Sequence, residues 1–586
     1  MTWKVLSGPL AASLAILVVA ADALAFPPAE AAAQGSPQAA AVAVPQKAIP
    51  VFAHKGMVVA QEPLAAQIGL DILKKGGNAV DAAVAVGFAL AVTYPRAGNL
   101  GGGGFMVIHL ANGQNTAIDY RETAPQAITD KSFLDAQGNA DPQKSRNSAL
   151  AIGVPGTVAG LALAEEKYGS GRFTLADLIA PATALAHDGM VVSAQTLAPA
   201  PVDPSRLKRW PSSAKIFFKP DGSAFSPGDR LVQSDLANSL EAIAKGGSRA
   251  FYDGPTAAKI ANAVQAAGGV MTADDLKNYR AIERKPVRGT YRGYDIVSMP
   301  PSSSGGIELI EMLNILEGYD LTHDDQAQEL FLLVEAMKRA YADRALYLGD
   351  PGEVQNPIAR LTSKDYAAKW RATIDPEHAT PASAIRAGGI VEPEGRNTTH
   401  FSVVDRFGNA VANTYTLNFI YGLGMVADGT GILLNNELDD FAAKPDSPNA
   451  FGLTGYEANA PGPGKRPLSS MTPTIVLRDG KPFLVTGSPG GSRITTTVLQ
   501  VIVNVIDRGM DVADAVSAPR VHNQWVPDQV FAEPGLPENV LSALQGRGDK
   551  IVPQRPFTSA NSIEVMPAGL VGAADPREGG ALAVGF

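Results

Sequence analysis

At 586 residues the chain is long enough for several domains or for one large α/β or α+β unit, and 45% hydrophobic with 18% charged residues describes a globular protein with a large core. A net charge of −9 with no Lys/Arg run excludes nucleic acid as the main partner, because phosphate binding needs a basic surface. The absence of cysteine excludes a thiol nucleophile, a thiolate metal site and any disulfide.

The first 25 residues read as a signal peptide. Lys4 supplies the positive start, Leu10 to Ala20 the apolar run, and Ala23-Leu24-Ala25 a small-x-small cleavage site, with the mature chain starting near Phe26. The run is too short to span a bilayer comfortably, and no cysteine follows it to carry a lipid. A periplasmic or secreted protein without a stable membrane span is expected. Residues 26–50, rich in Ala, Pro and Gln, read as a flexible lead-in outside the fold.

From Glu62 two helices follow. Leu64, Ile68, Ile72 and Leu73 recur at helical spacing, and Lys74-Lys75-Gly76 closes the first. Asn78 caps the second, with Asp81 in the capping-box position; this Ala/Val-rich helix runs to Val92, has almost no polar face and should be buried. Phe105–Leu110 and Thr116–Tyr120 flank Asn112-Gly113, a hairpin signal. Gly306–Leu316 and Gln326–Leu346 are helical in pattern, and Arg371–Arg396 reads as a loose exposed segment. Beyond it strands take over. Thr398–Asp405 and Ala410–Asn418 flank a turn at Gly408, and Pro473–Leu477 and Pro482–Thr486 flank Asp479-Gly480. Gly487-Ser488-Pro489-Gly490-Gly491-Ser492 then opens an apolar helix, Ile494–Ile506. Strands and helices that occur in clusters favour antiparallel sheets with helices outside.

Few groups can act as a nucleophile. No Gly-x-Ser-x-Gly elbow occurs, and the Gly101–Gly104 run lacks the Gly-Lys-Ser/Thr ending of a phosphate loop. Thr398, between the loose segment and a strand, is a candidate, because a threonine at a chain N-terminus is activated by its own α-amino group (pKa ~8) without a histidine. If the three-residue loop Arg406–Gly408 sets the hairpin register, Asp405 pairs with Asn409 and Thr398 lies opposite Thr416, whose hydroxyl can orient it. Arg121 can fork onto a carboxylate or make a plain ion pair. Ser469 and Ser470 can donate to a ligand or cap a turn. Glu437, Asp439 and Asp440 lack the alternation and central glycine of a calcium loop, so no metal is expected there. The amides of Gly490 and Gly491, before a long helix, can converge as an oxyanion hole or form an ordinary turn.

From about His54 to Phe586 the chain resembles the γ-glutamyltranspeptidases (glutathione hydrolases), within the N-terminal nucleophile hydrolases. The resemblance is densest in His54–Val58, Gly98–Gly104, Asp119-Tyr120-Arg121-Glu122, Thr398-Thr399-His400, Asn435–Phe441, Pro467–Met471 and Gly487–Arg493. It implies an α+β fold, a four-layer αββα sandwich of two mostly antiparallel sheets. It implies self-cleavage between Asn397 and Thr398 into a large subunit (51–397 as its folded part) and a small catalytic one (398–586), paired as a heterodimer. It also implies an acyl transfer or hydrolysis in which Thr398 forms a γ-glutamyl ester that passes to water, an amino acid or a peptide, with glutathione among the substrates and no cofactor. Arg121, Ser469 and Ser470 would take the substrate carboxylate. Asn418, Glu437 and Asp440 would take its ammonium, with Gly490 and Gly491 holding the oxyanion; Asp439 receives no role. One departure is Phe451, where a Tyr is common in the lid segment Lys444–Lys465. A phenyl ring cannot bond to Asn418, so a looser lid is expected. Two rivals remain: a glutaryl or cephalosporin acylase on the same fold, and a non-catalytic periplasmic binding protein.

Overall fold

In a computed structural model of the chain, the structure describes residues 47–194, 196, 205–322, 325–385, 398–556 and 558–586. The signal-peptide reading and the bond after Asn397 lie outside these residues. Residues 47–50, expected in the lead-in, belong to the fold: Ala48 is buried and its N–H donates to Ser517 Oγ at 2.8 Å.

Fourteen strands build two large sheets. In chain order they are β1 (Val51–Ala53), β2 (Met57–Ala60), β3 (Gly103–His109), β4 (Asn115–Tyr120), β5 (Ile282–Arg284), β6 (Val287–Tyr291), β7 (Tyr294–Ser298), β8 (Thr399–Val404), β9 (Ala410–Thr416), β10 (Thr474–Arg478), β11 (Lys481–Thr486), β12 (Ser562–Met566), β13 (Gly569–Ala573) and β14 (Leu582–Gly585). One sheet runs β1-β13-β12-β11-β10-β7-β6 and the other β14-β2-β8-β9-β3-β4-β5, and the registered neighbours are antiparallel.

Side-chain alternation shows the layers. Along β3, Phe105 and Val107 join Ile475, Leu477 and Val485 of the other sheet in a core between the sheets. Met106 and Ile108 point the opposite way, into helices α1 (Pro63–Lys74), α2 (Ala79–Thr93) and α3 (Leu175–Asp188). On β10, Val476 likewise turns outward to α4 (Gly305–Leu316), α5 (Gln326–Tyr347) and α6 (Arg493–Ile506). The period of two along a strand thus feeds two cores at once and gives the αββα sandwich.

The local signals explain the elements. Asn78 and Asp81 form the expected capping box, and every residue of α2 is buried. Asp479 and Gly480 both have positive φ (53° and 73°), the geometry of a type I′ hairpin turn. The register of β8 on β9 pairs Val404 with Ala410 and Thr399 with Tyr415, as counting from Gly408 requires. Strands β5 to β7 were not legible among the helical patterns around them. Of the expected loose segment, Arg371 ends the helix Lys364–Arg371 and Ala382–Ile385 is a single turn.

Candidate active site

The functional candidates share one end of the two sheets. Arg121 follows β4, Thr398 precedes β8, Thr416 ends β9, Ser469 and Ser470 precede β10, and Gly491 follows β11. Antiparallel pairing puts these strand starts and strand ends on the same edge. All of them, with Asn418, Glu437 and Asp440, line one small cavity of about 20 Å³. Gly490 lies one residue outside its lining.

Thr398 is 7% exposed, and its Oγ1 stands 3.5 Å from Thr416 Oγ1. Thr416 Oγ1 accepts the N–H of Asn418 at 2.9 Å. That bond folds the chain back after β9, and Asn418 adopts a φ of 73° to do so. The Asn418 side-chain N–H donates to the Asn436 carbonyl at 2.9 Å, tying this turn to the acidic segment.

Arg121 is fully buried. Its guanidinium donates to Glu437, to Asp440 and, at 3.0 Å, to the Pro467 carbonyl, with Glu122 at 3.8 Å. Three carboxyls thus surround one cation. Burial raises all three, Glu122 to about 7, and their mutual repulsion adds to the rise of Glu437 against the pull of Arg121. The Ser470 hydroxyl and Glu437 Oε2 are buried without a hydrogen-bond partner among the described residues. Unmet polar atoms of this kind in a cavity are suited to a polar ligand.

Gly490 and Gly491 have φ of 135° and 57°. A Cβ on Gly491 would lie 2.3 Å from the Phe451 ring, so only glycine fits this approach. Phe451 itself is 5% exposed and packs edge-on against Phe419. Within the segment expected to form a looser lid, Phe451 is packed down by apolar contacts, and the Asn449 side-chain oxygen accepts the N–H groups of Phe451 and Leu453.

Several supporting residues escaped the sequence reading. Asp119 is held below its usual range despite burial by Arg466 and Arg284; Arg466 also donates to the Arg121 carbonyl, fixing the backbone that aims Arg121. Asp439, which had no role, accepts from Ser145 at 2.6 Å, Arg146 at 3.2 Å and the Ala450 N–H at 2.9 Å. It therefore pins the lid segment to the acidic turn. Asn449 donates to Asp440 at 2.9 Å. Asp119 and Asp439 sat beside the residues singled out, but nothing in their spacing distinguished a brace from a ligand.

The chain is similar to known proteins over most of its length. The profile of the family described as Gamma-glutamyltranspeptidase matches residues 65–585. The Glutathione hydrolase proenzyme of Escherichia coli (strain K12) is 52% identical over 540 residues, covering 92% of this chain and 93% of the relative. Among solved structures, cephalosporin acylase from Bacillus halodurans superposes with a TM-score of 0.79 at 29% identity, covering 94% of this chain and 99% of that one. Helicobacter pylori gamma-Glutamyltranspeptidase matches with a TM-score of 0.54 at 46% identity, over 56% of this chain and 93% of that one. The chain belongs to the γ-glutamyltranspeptidase family.

Proposed function

We propose that the chain is the precursor of an exported γ-glutamyltransferase and glutathione hydrolase, cut before Thr398 into the subunits 26–397 and 398–586. The cut exposes the Thr398 amine, which takes the proton of its own hydroxyl. The oxygen then attacks the γ-carbonyl of the substrate, and the Gly490 and Gly491 amides stabilise the oxyanion. Thr416 orients the hydroxyl through the 3.5 Å contact. The substrate's γ-amide bond breaks, its amine leaves with the proton held by the Thr398 ammonium, and water or an amino acid attacks the ester. In the precursor, where the Thr398 nitrogen is still an amide and cannot act as base, the Thr398 hydroxyl attacks the Asn397 carbonyl; the C–N bond breaks and frees the Thr398 amine, and water then hydrolyses the Asn397 ester. For the enzyme to be exported, the residues up to Ala25 serve as the signal peptide; no helix among the described residues is long and apolar enough to cross a membrane.

The observation that carries the substrate reading is Arg121 paired with Glu437 and Asp440 within the Thr398 cavity. A γ-glutamyl group brings one carboxylate and one ammonium. Its carboxylate replaces the acids on Arg121, helped by Ser469 and Ser470, and its ammonium replaces Arg121 on the acids, with the Asn418 side-chain carbonyl oxygen as a further acceptor. The exchange conserves charge. A glutaryl group lacks the ammonium and would leave buried carboxylates uncompensated, which is costly. The likeness to the cephalosporin acylase structure keeps that activity as a second reading. Turnover of γ-glutamyl-p-nitroanilide against a glutaryl cephalosporin decides: the account expects the first to be favoured at least about tenfold, one decade being ~1.4 kcal/mol. A preference for the glutaryl compound overturns it.

A further inference from the structure

Behind the two serines lies a buried acid that the reaction above does not use. Glu308 of α4 is 1% exposed. Its Oε2 lies 3.0 Å from Ser304 Oγ and 3.3 Å from Thr495 Oγ1. Each of those hydroxyls also reaches the carbonyl of a site serine: Ser304 Oγ lies 2.8 Å from Ser469 O, and Thr495 Oγ1 lies 3.4 Å from Ser470 O. A hydroxyl has one proton, so it cannot donate to Glu308 and to the serine loop together.

We propose that Glu308 is a positioning residue whose protonation state sets how firmly the Ser469–Ser470 loop is held, and through it the grip on the substrate carboxylate. The proposal rests on the assignment of those serines to substrate. When Glu308 is ionised it draws the Ser304 proton to itself, and Ser469 O is left with the Ser304 N–H at 2.8 Å and the more distant Ser303 hydroxyl at 3.3 Å. When Glu308 is protonated it donates to Ser304 Oγ, which also accepts the Arg344 N–H at 3.2 Å and passes its own proton to Ser469 O. All three bonds at the Ser304 hydroxyl are then made.

The charged surroundings permit the switch near neutrality. From α5, Arg344 stands 3.9 Å from Glu308 and Tyr341 lies beside it; from α6, Arg493 acts on Tyr341; on α4 itself, Glu311 is held up by burial and by Asp343. The serine loop contributes no titratable group. Burial outweighs the pull of Arg344 and holds Glu308 up at about 7. Arg344 also acts on Asp440 of the cavity, which brings the relay within reach of the ammonium side.

The test measures KM and kcat for γ-glutamyl-p-nitroanilide between pH 6 and 8 in the processed enzyme. The parent KM should rise with pH by about fivefold, the worth of one hydrogen bond. In Glu308→Gln, which holds the amide as a permanent donor, the fivefold rise of KM should be lost apart from what Glu122 beside Arg121 contributes in every variant, with the change carried by KM and not by kcat. A Glu308→Gln profile parallel to the parent overturns the relay. If that variant does not fold, Ser304→Ala, which leaves Glu308 and Arg344 in place, must flatten the profile; a parent-like profile there overturns it equally. Ser470→Ala reads the premise separately. An unchanged KM in that variant removes the serine loop from substrate binding, whereas a raised KM with a parent-like profile in Glu308→Gln sinks the relay alone.

Discussion

Replacing Arg121 with lysine separates a substrate ligand from a structural ion pair. The guanidinium reaches Glu437 with one terminal nitrogen, Asp440 with the other and the Pro467 carbonyl with Nε. A lysine keeps the charge but offers one point in place of the fork. A hydrogen bond to a charged group is worth about 1.5–3 kcal/mol, so losing one of two bonds to a substrate carboxylate lowers kcat/KM by about 10- to 150-fold. The assay compares γ-glutamyl-p-nitroanilide with 4-aminobutanoyl-p-nitroanilide, which keeps the ammonium and lacks the carboxylate. Arg121→Lys should lose the stated factor on the first and change by no more than about twofold on the second, since the missing carboxylate leaves nothing for the fork to grip. A gel confirms processing before either rate is taken. Equal losses on both substrates would refute the carboxylate assignment and leave Arg121 as a brace for Glu437 and Asp440.

Thr416→Val removes the hydroxyl that lies 3.5 Å from Thr398 Oγ1 and accepts the Asn418 N–H; kcat should fall about fivefold, the worth of one hydrogen bond, and an unchanged kcat argues against an orienting role. Gly491→Ala places a methyl 2.3 Å from Phe451 at a φ of 57°, so the amide must move. Its kcat should fall by about 10²-fold or more, as for loss of an oxyanion donor, and a change confined to KM would contradict this. Asn449→Ala frees the lid turn and one oxygen of Asp440, so KM should rise and protease cleavage within 444–465 should appear in the variant first. His400 is held neutral by burial, its pKa lowered from 6.5 to about 3. The unfolded chain takes up the proton first, so the stability that His400 allows is complete above about pH 6.5 and is lost as pH falls towards 3. His400→Gln should therefore show a flatter fall of melting temperature between pH 6.5 and 4; parallel curves would exclude His400 as the cause.

The legible part of this fold was local. Asn78 with Asp81, Asn112-Gly113 and Asp479-Gly480 each carry their own turn or cap chemistry, and each appears where the sequence placed it. The register that sets Thr398 against Thr416 followed from the three-residue loop Arg406–Gly408, because a hairpin turn fixes every pair behind it. What could not be read was long-range. Strands β5 to β7 are short; β6 is held by β7, and β7 by β10, nearly two hundred residues away. The encirclement of Arg121 by Glu122, Glu437 and Asp440 joins segments more than three hundred residues apart. The brace formed by Arg466 on Asp119, and the lid anchor at Asp439, depend on the same tertiary closure. Residue types could name Arg121 and Asp440 as charged groups; only the fold made them partners.

The most direct measurement is N-terminal sequencing of the purified protein together with Thr398→Ala on a denaturing gel. The account predicts two subunits, the smaller beginning at Thr398, and in Thr398→Ala a single uncleaved chain without γ-glutamyl transfer or hydrolysis. A small subunit beginning at any other residue, or an intact parent chain with full activity, would contradict it.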